Sequence, residues 1–165
     1  MYIAGTGHRP KYCPCKYNNN HPWLNKLKSD LTSRLSEIVD NNYEFSNDPI
    51  IIRTGGAIGW DTWLAQVALK MGIPLHLYLP FPGQERKWPI ESREEYQKIK
   101  SCASKVIYTS ENYHPEAFLK RDIDMITGCG KILALLNPEI NSGGTFYTVG
   151  KAKELGISVE NFWRE

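Results

Sequence analysis

No apolar run in this chain approaches the roughly 18 residues that a membrane-spanning helix requires, which argues against a helical span. The first residues, MYIAGTGHRP, hold no basic segment followed by an apolar stretch and a cleavage site. A signal peptide is therefore not expected, and an intracellular, cytoplasmic setting is. Charge of one sign is missing too: 20 Lys and Arg against 18 Asp and Glu leave a formal +2, spread evenly. Binding along a phosphate backbone uses a concentrated basic face, so the expected partner is a small molecule rather than nucleic acid. Cysteine is scarce, with four residues, and only Cys13 and Cys15 in YCPCKY are close together. That pair is one residue short of Cys-x-x-Cys and has no second pair to complete a tetrahedral zinc set, although His8 and His21 flank it. No metal is expected, and free thiols in a reducing compartment are.

What is present fits one globular domain over residues 1–165. Apolar residues make up 41% and charged residues 23%, and the length suffices for a core without metal or disulfide staples. MYIAGTG reads as a short buried strand ending in glycine. From Trp23 to Asn41, apolar residues recur at Trp23, Leu24, Leu27, Leu31, Leu35, Ile38 and Val39, the spacing of one helix face. PIIIRTGG is a β-branched strand stopped by Gly55 and Gly56, and WDTWLAQVALKMG is a helix closed by glycine. IPLHLYLPF is a third strand, and a helix begins near Ser92. KVIYTS is the fourth strand, and PEAFLKRDIDMITGC a helix with Pro115 in its first turn. KILALLN, TFYTVGKAKELG and ISVENFW supply strand, helix and strand. Strict alternation with short connections predicts an α/β fold: a doubly wound, mostly parallel, Rossmann-like sheet in a three-layer α/β/α arrangement.

In such a sheet, ligands bind beyond the carboxyl ends of the strands where strand order reverses. The loops GTGHRP, TGGAIGWD, PFPGQERKW, SENYH and NPEINSGGT all fall on that edge. Glycine between strand and helix lets backbone N–H groups approach an anion, and a helix N-terminus adds free donors and partial positive charge. Ser142, Gly143, Gly144 and Thr145 are thus a candidate phosphate cradle, and Gly55 and Gly56 a candidate second contact. Neither run is a dinucleotide fingerprint, and no Gly-Lys-Ser/Thr occurs, so ATP hydrolysis is not expected and no cofactor is implied.

The motifs GTGHRP, RTGGAIGWDTWLAQVAL, PLHLYLPFPGQERKW, LKRDIDMI and NSGGTFYTVGKAKELG, in this order, resemble YpsA-like proteins of the SLOG superfamily, from Met1 to Gly156. That superfamily also includes the DprA core and the LOG-type phosphoribohydrolases. The resemblance implies a Rossmann-like domain that binds nucleotides or ADP-ribose-like ligands, some members cleaving an N-glycosidic bond, and commonly a homo-oligomer. It implies first-loop contacts at Thr6, Gly7, His8 and Arg9. Second-loop contacts would be Gly55, Gly56 and Asp61, with Arg121 on the fourth crossover helix and Gly143, Gly144 and Thr145 at the phosphate. LOG hydrolases carry G-G-x-G-T-x-x-E, whereas GGTFYTV places Thr148 where that glutamate would stand.

Asp61 is the best placed acid for glycosidic chemistry, and it fits helix-start dipole complementation equally. Arg121 fits a phosphate clamp or a surface ion pair. His8 fits an acid/base or a hydrogen-bonding partner, and Trp88, in a polar loop, fits a stacking platform for a base. The leading expectation is a nucleotide-ligand binder acting as sensor or regulator. A nucleoside 5'-monophosphate N-glycosidase using Asp61 and Arg121 is the alternative. DprA-like single-strand DNA binding is the weaker one, because no basic stripe interleaved with aromatics is visible.

Overall fold

The computed structural model describes residues 1–165, in which strands and helices alternate from end to end. The elements are β1 (Tyr2–Gly7), α1 (Pro22–Phe45), β2 (Ile51–Thr54), α2 (Trp60–Lys70), β3 (Leu75–Leu79) and α3 (Ile90–Cys102). They continue as β4 (Lys105–Tyr108), α4 (Ala117–Ile126), β5 (Lys131–Leu135), α5 (Gly143–Glu154) and β6 (Ser158–Asn161). All five strand pairings are parallel, in the order β4-β3-β2-β1-β5-β6. The first three crossovers step outward from β1 in one direction. The fourth carries the chain back to the other side of β1, so the order reverses between β1 and β5.

The two faces of the sheet are covered unequally, and the alternation of side chains along each strand shows why. Ile3, Ile52, Leu75, Leu77, Leu79, Leu133 and Leu135 meet α1, α2 and α3 in a cluster of 25 buried residues. The opposite face, under α4 and α5, holds a cluster of six around Ala4, Ile132 and Met125. Its middle row is Ala4, Arg53 and His76, side by side in register. Arg53 lies across the Tyr2 ring, 3.8 Å from its centroid, and donates to the carbonyls of Met125 and Thr127 at the end of α4. A guanidinium stands here where apolar side chains stand on the other face.

Helix ends follow local chemistry, and several differ from the sequence expectation. α1 starts at Pro22, whose missing N–H costs nothing at a first helical position, and Nδ1 of His21 accepts from the Trp23 N–H at 3.1 Å. It also runs on past Asn41 to Phe45. α3 begins at Ile90 directly after Pro89, not at Ser92. Pro115 lies in the turn before α4 rather than in its first turn, because that helix is capped from Glu116. α5 begins at Gly143, two residues ahead of Thr145, so both glycines belong to its first turn. The loop after β1 forms a short 3-10 turn, Pro10–Tyr12. No helix is long and apolar enough to cross a membrane.

Candidate functional site

Gly7 and Leu135 are paired at the carboxyl ends of β1 and β5, and the chain beyond each leads to opposite walls of a cleft of about 480 Å³. One wall comes from the loop after β1 and the first turn of α2, the other from α4 and the first turn of α5. Of the residues expected here, Thr6, Gly7, His8, Arg9, Asp61, Arg121, Ser142, Gly143, Gly144 and Thr145 all line it. Lys11, Tyr12, Phe118 and Asp122 line it too and were not assigned from sequence. Three of these expectations had their residues elsewhere: Gly55, Gly56 and Trp88.

The floor of the cleft is a buried charge cluster. Asp61, Arg121 and Asp122 are only 7, 6 and 8% exposed. Nε of Arg121 donates to Oδ1 of Asp122 at 2.7 Å, and Nη1 donates to the carbonyls of Gly55 and Tyr78. The Thr148 hydroxyl, 3.1 Å from Oδ2 of Asp122 and 2.8 Å from the Gly144 carbonyl, braces that carboxylate from α5. Asp61 accepts from the Ala57 N–H at 3.2 Å. Burial pushes its carboxyl up to about 6, against the pull of Arg121 and with a further push from Asp122. An acid with that affinity gains and loses a proton near neutral pH, as general acid and base catalysis requires.

His8 is 5% exposed, and its Nε2 has no hydrogen-bond partner in the protein. Burial lowers its pKa, which favours the neutral ring. Tyr12 and Trp163 hold the imidazole, with ring centroids 5.6 and 6.1 Å away. A buried ring nitrogen without a partner is an exception among buried polar groups, and here it lies beside the cleft wall.

The glycines of this edge divide sharply. A Cβ at Gly7 would overlap the ring of Trp60, whose Nε1 donates to the Leu133 carbonyl at 3.0 Å. A Cβ at Gly55 would overlap the Arg121 guanidinium, and at Gly56 it would come within 2.8 Å of Leu79. The Gly55-Gly56 pair therefore makes room for the protein's own arginine and side chains, and the expected second anion contact is absent from the cleft. Trp88 is removed for a similar reason: its ring packs edge-on against Tyr96 of α3, centroids 5.4 Å apart, on the outer side of the sheet. Gly143 has a φ of 86°, a conformation suited to glycine. Gly144 is different. A Cβ there would have Asp122 Oδ2 at 3.9 Å as its nearest neighbour, so no protein atom uses the space its missing side chain leaves.

The first turn of α5 completes the site. Its leading N–H groups have no intrahelical acceptors, and Ser142 makes no side-chain cap bond, so its hydroxyl stays free. The only basic side chains at the cleft besides Arg121 are Arg9 and Lys11.

A larger trough of about 960 Å³ lies between α1, α2 and α3, away from the carboxyl edge. Lys28 donates to Gln66 and Gln66 to Glu95 across it. The smaller cleft, with a buried acid, an arginine and an unpartnered histidine, has the features of a ligand site. Cys13 and Cys15 are free thiols buried in the larger core, and no cluster of three or more potential metal ligands forms around them.

These features define a Rossmann-like α/β protein with a polar cleft at its topological switch point. The chain belongs to the YspA SLOG family, whose match runs over residues 3–159. UPF0398 proteins of Bacillus cereus strain ATCC 14579 and Bacillus thuringiensis strain Al Hakam are each 30% identical to it, over 97% of this chain and 86% of theirs. The fold is shared with the X-ray structure of TM1055, with a TM-score of 0.58 and 14% identity over 96% of this chain and 71% of that one. It is shared also with DNA processing protein A (DprA) from Streptococcus pneumoniae, with a TM-score of 0.61 and 15% identity. That alignment covers 97% of this chain and 49% of the DprA chain.

Proposed function

We propose that this protein binds a nucleotide or nucleotide-derived ligand, of the nucleoside monophosphate or ADP-ribose class, in the cleft between β1 and β5. The supporting observation is Gly144. Gly144 lies in the first turn of α5, where the one protein atom within 4 Å of an added Cβ is Asp122 Oδ2, at 3.9 Å. A phosphate approaching the first turn of α5 uses that space, meeting the free amides of Gly143 to Thr145 with Ser142 Oγ as a further donor. Arg9 and Lys11 supply additional polar contacts from the facing wall. Thermal unfolding with a panel of nucleotides and ADP-ribose derivatives tests this reading. At 100 times Kd, a binder of the folded state should raise Tm by roughly 5–10 °C. No shift with any of them at millimolar concentration contradicts it.

A second reading is favoured by the state of Asp61: cleavage of the base from a nucleoside 5'-monophosphate. Thr148 stands where LOG hydrolases carry glutamate, but its hydroxyl supports Asp122, so two carboxylates still border the cleft. As the C1'–N bond breaks, the base would leave with the bonding pair and take a proton from solvent, water would add at C1' and give its proton to Asp61, and the oxocarbenium-like sugar would be stabilised by the nearby negative charge. Chromatography for free base after incubation with nucleoside monophosphates decides it. Release that disappears in Asp61→Asn, with binding retained, supports the assignment, and release that persists rejects it.

A further inference from the structure

One face of α4 lines the cleft: Phe118, Arg121, Asp122 and Met125, at positions i, i+3, i+4 and i+7. Because α4 follows β4 and runs back across the sheet, its N-terminal end lies at the carboxyl edge. Phe118 therefore sits about one helical turn, roughly 5 Å, outward of the Arg121-Asp122 pair. On α5 the order is the same, with Gly144 and Thr145 at the mouth and Thr148 one turn deeper against Asp122. The two packed helices thus present an aromatic ring and a set of free amides at the same height, with carboxylates below and between them.

Phe118 is not isolated. Phe81, from the loop after β3, meets it edge-on at 5.6 Å and 81°, and meets Tyr113, from the loop after β4, at 5.6 Å and 85°. None of the three stacks face to face with another ring, and none belongs to either hydrophobic core. Tyr113 is 67% exposed. Three carboxyl-edge segments bring aromatic rings to one side of the cleft, yet the rings stabilise no buried core there.

From this arrangement we infer that Phe118, held by Phe81 and Tyr113, is the stacking platform for the nucleobase of the bound ligand. The inference rests on the nucleotide reading and adds its orientation. The phosphate lies at the first turn of α5, the pentose spans the floor above Asp122 and Asp61, and the base lies against α4. Packed helix axes are about 8–10 Å apart, a gap that one pentose between base and phosphate bridges. Stacking on an aromatic ring tolerates any base, so the platform selects for a planar heteroaromatic group and not for one base identity.

Calorimetric titration of the full chain with the four common nucleoside 5'-monophosphates and with ribose 5-phosphate tests it in three proteins: wild type, Phe118→Leu and Phe118→Tyr. The tightest monophosphate should bind wild type about tenfold or more tightly than ribose 5-phosphate does. Phe118→Leu should lose that advantage while keeping ribose 5-phosphate affinity, which also reports that the variant is folded, and Phe118→Tyr should retain it. If Phe118→Leu does not fold, Tyr113→Ala at the exposed ring should lower monophosphate affinity several-fold with ribose 5-phosphate unchanged. Equal affinity of wild type for both ligand types overturns the platform and leaves the phosphate site standing. So does a variant that weakens both equally. Absence of binding by every compound removes the nucleotide reading and the platform with it.

Discussion

A methyl group at Gly144 would meet only Asp122 Oδ2, at an unstrained 3.9 Å, and one at Gly55 would strike a buried guanidinium; the same substitution at these two residues should have opposite consequences. Gly144→Ala should leave the fold as stable or stabilise it by up to about 1 kcal/mol, because alanine suits a helix better. It should also weaken phosphate-bearing ligands more than tenfold, since the methyl stands where the anion approaches. Urea unfolding and calorimetry on one preparation separate the two effects. Gly55→Ala should destabilise by about 1–3 kcal/mol as Arg121 is displaced from the Gly55 carbonyl, again read by urea unfolding. The sequence offers no means of telling these glycine pairs apart, because what fills the space beside Gly55 comes from a residue 66 positions later. Trp88 was illegible for the same reason: its loop is polar, but the ring turns onto Tyr96 of the following helix.

Asp61 gives a prediction in pH. Its carboxyl is raised in the folded chain from the ordinary 3.8 to about 6, so the neutral form is favoured by folding. Its contribution is complete below about pH 4 and is lost as pH rises through about 6. Asp61→Asn lacks this titration. Its stability relative to wild type should therefore rise by up to about 3 kcal/mol between pH 4 and 7, measured by urea midpoints across that range. A constant difference would show that Asp61 titrates normally.

At the scale of elements, α4 and α5 build the site together. Arg121 ties α4 to the end of β2, Arg53 of β2 ties the other end of α4, and Thr148 of α5 braces Asp122. Removing one partner of a buried charge pair leaves the other uncompensated, so Asp122→Ala should cost about 3–5 kcal/mol, visible as a lowered urea midpoint. Thr148→Val, of nearly the same shape, should cost about 1–2 kcal/mol by deleting one hydrogen bond. Periodicity made the existence of both helices plain from sequence. It did not place the start of α5, because two glycines ahead of Thr145 read as a turn when both lie in the first helical turn. Nor did it separate the cleft-facing Phe118 and Asp122 from ordinary residues of an amphipathic helix, since charge and apolar residues alternate on α4 and only the folded packing shows which face meets β1, β2 and β3.

For the whole molecule, alternation of strands and helices was enough to specify a parallel sheet with helices on both faces, and its carboxyl edge as the edge that carries a cleft. The position of the crossover was not legible. Six strands that alternate with helices are compatible with a reversal at several points, and the return of the chain from β4 to the far side of β1 is fixed by packing between residues distant in sequence. That reversal sets the loop after β1 opposite the first turn of α5 and leaves Gly55, at the start of the loop after β2, against Arg121 and outside the cleft. It also explains why the larger trough between α1, α2 and α3 is not the expected site, since it lies on the helical layer far from any free backbone donor.

In the proposed binding mode the leading amides of α5 hold the phosphate. Backbone amide resonances of the isotope-labelled full chain, followed by NMR while a nucleoside 5'-monophosphate and then its unphosphorylated nucleoside are added, test it most directly. The signals of Gly143, Gly144 and Thr145 should move with the monophosphate far more than with the nucleoside. Signals that stay fixed there, or that move instead around Lys28 and Gln66 in the trough between the outer helices, would contradict it.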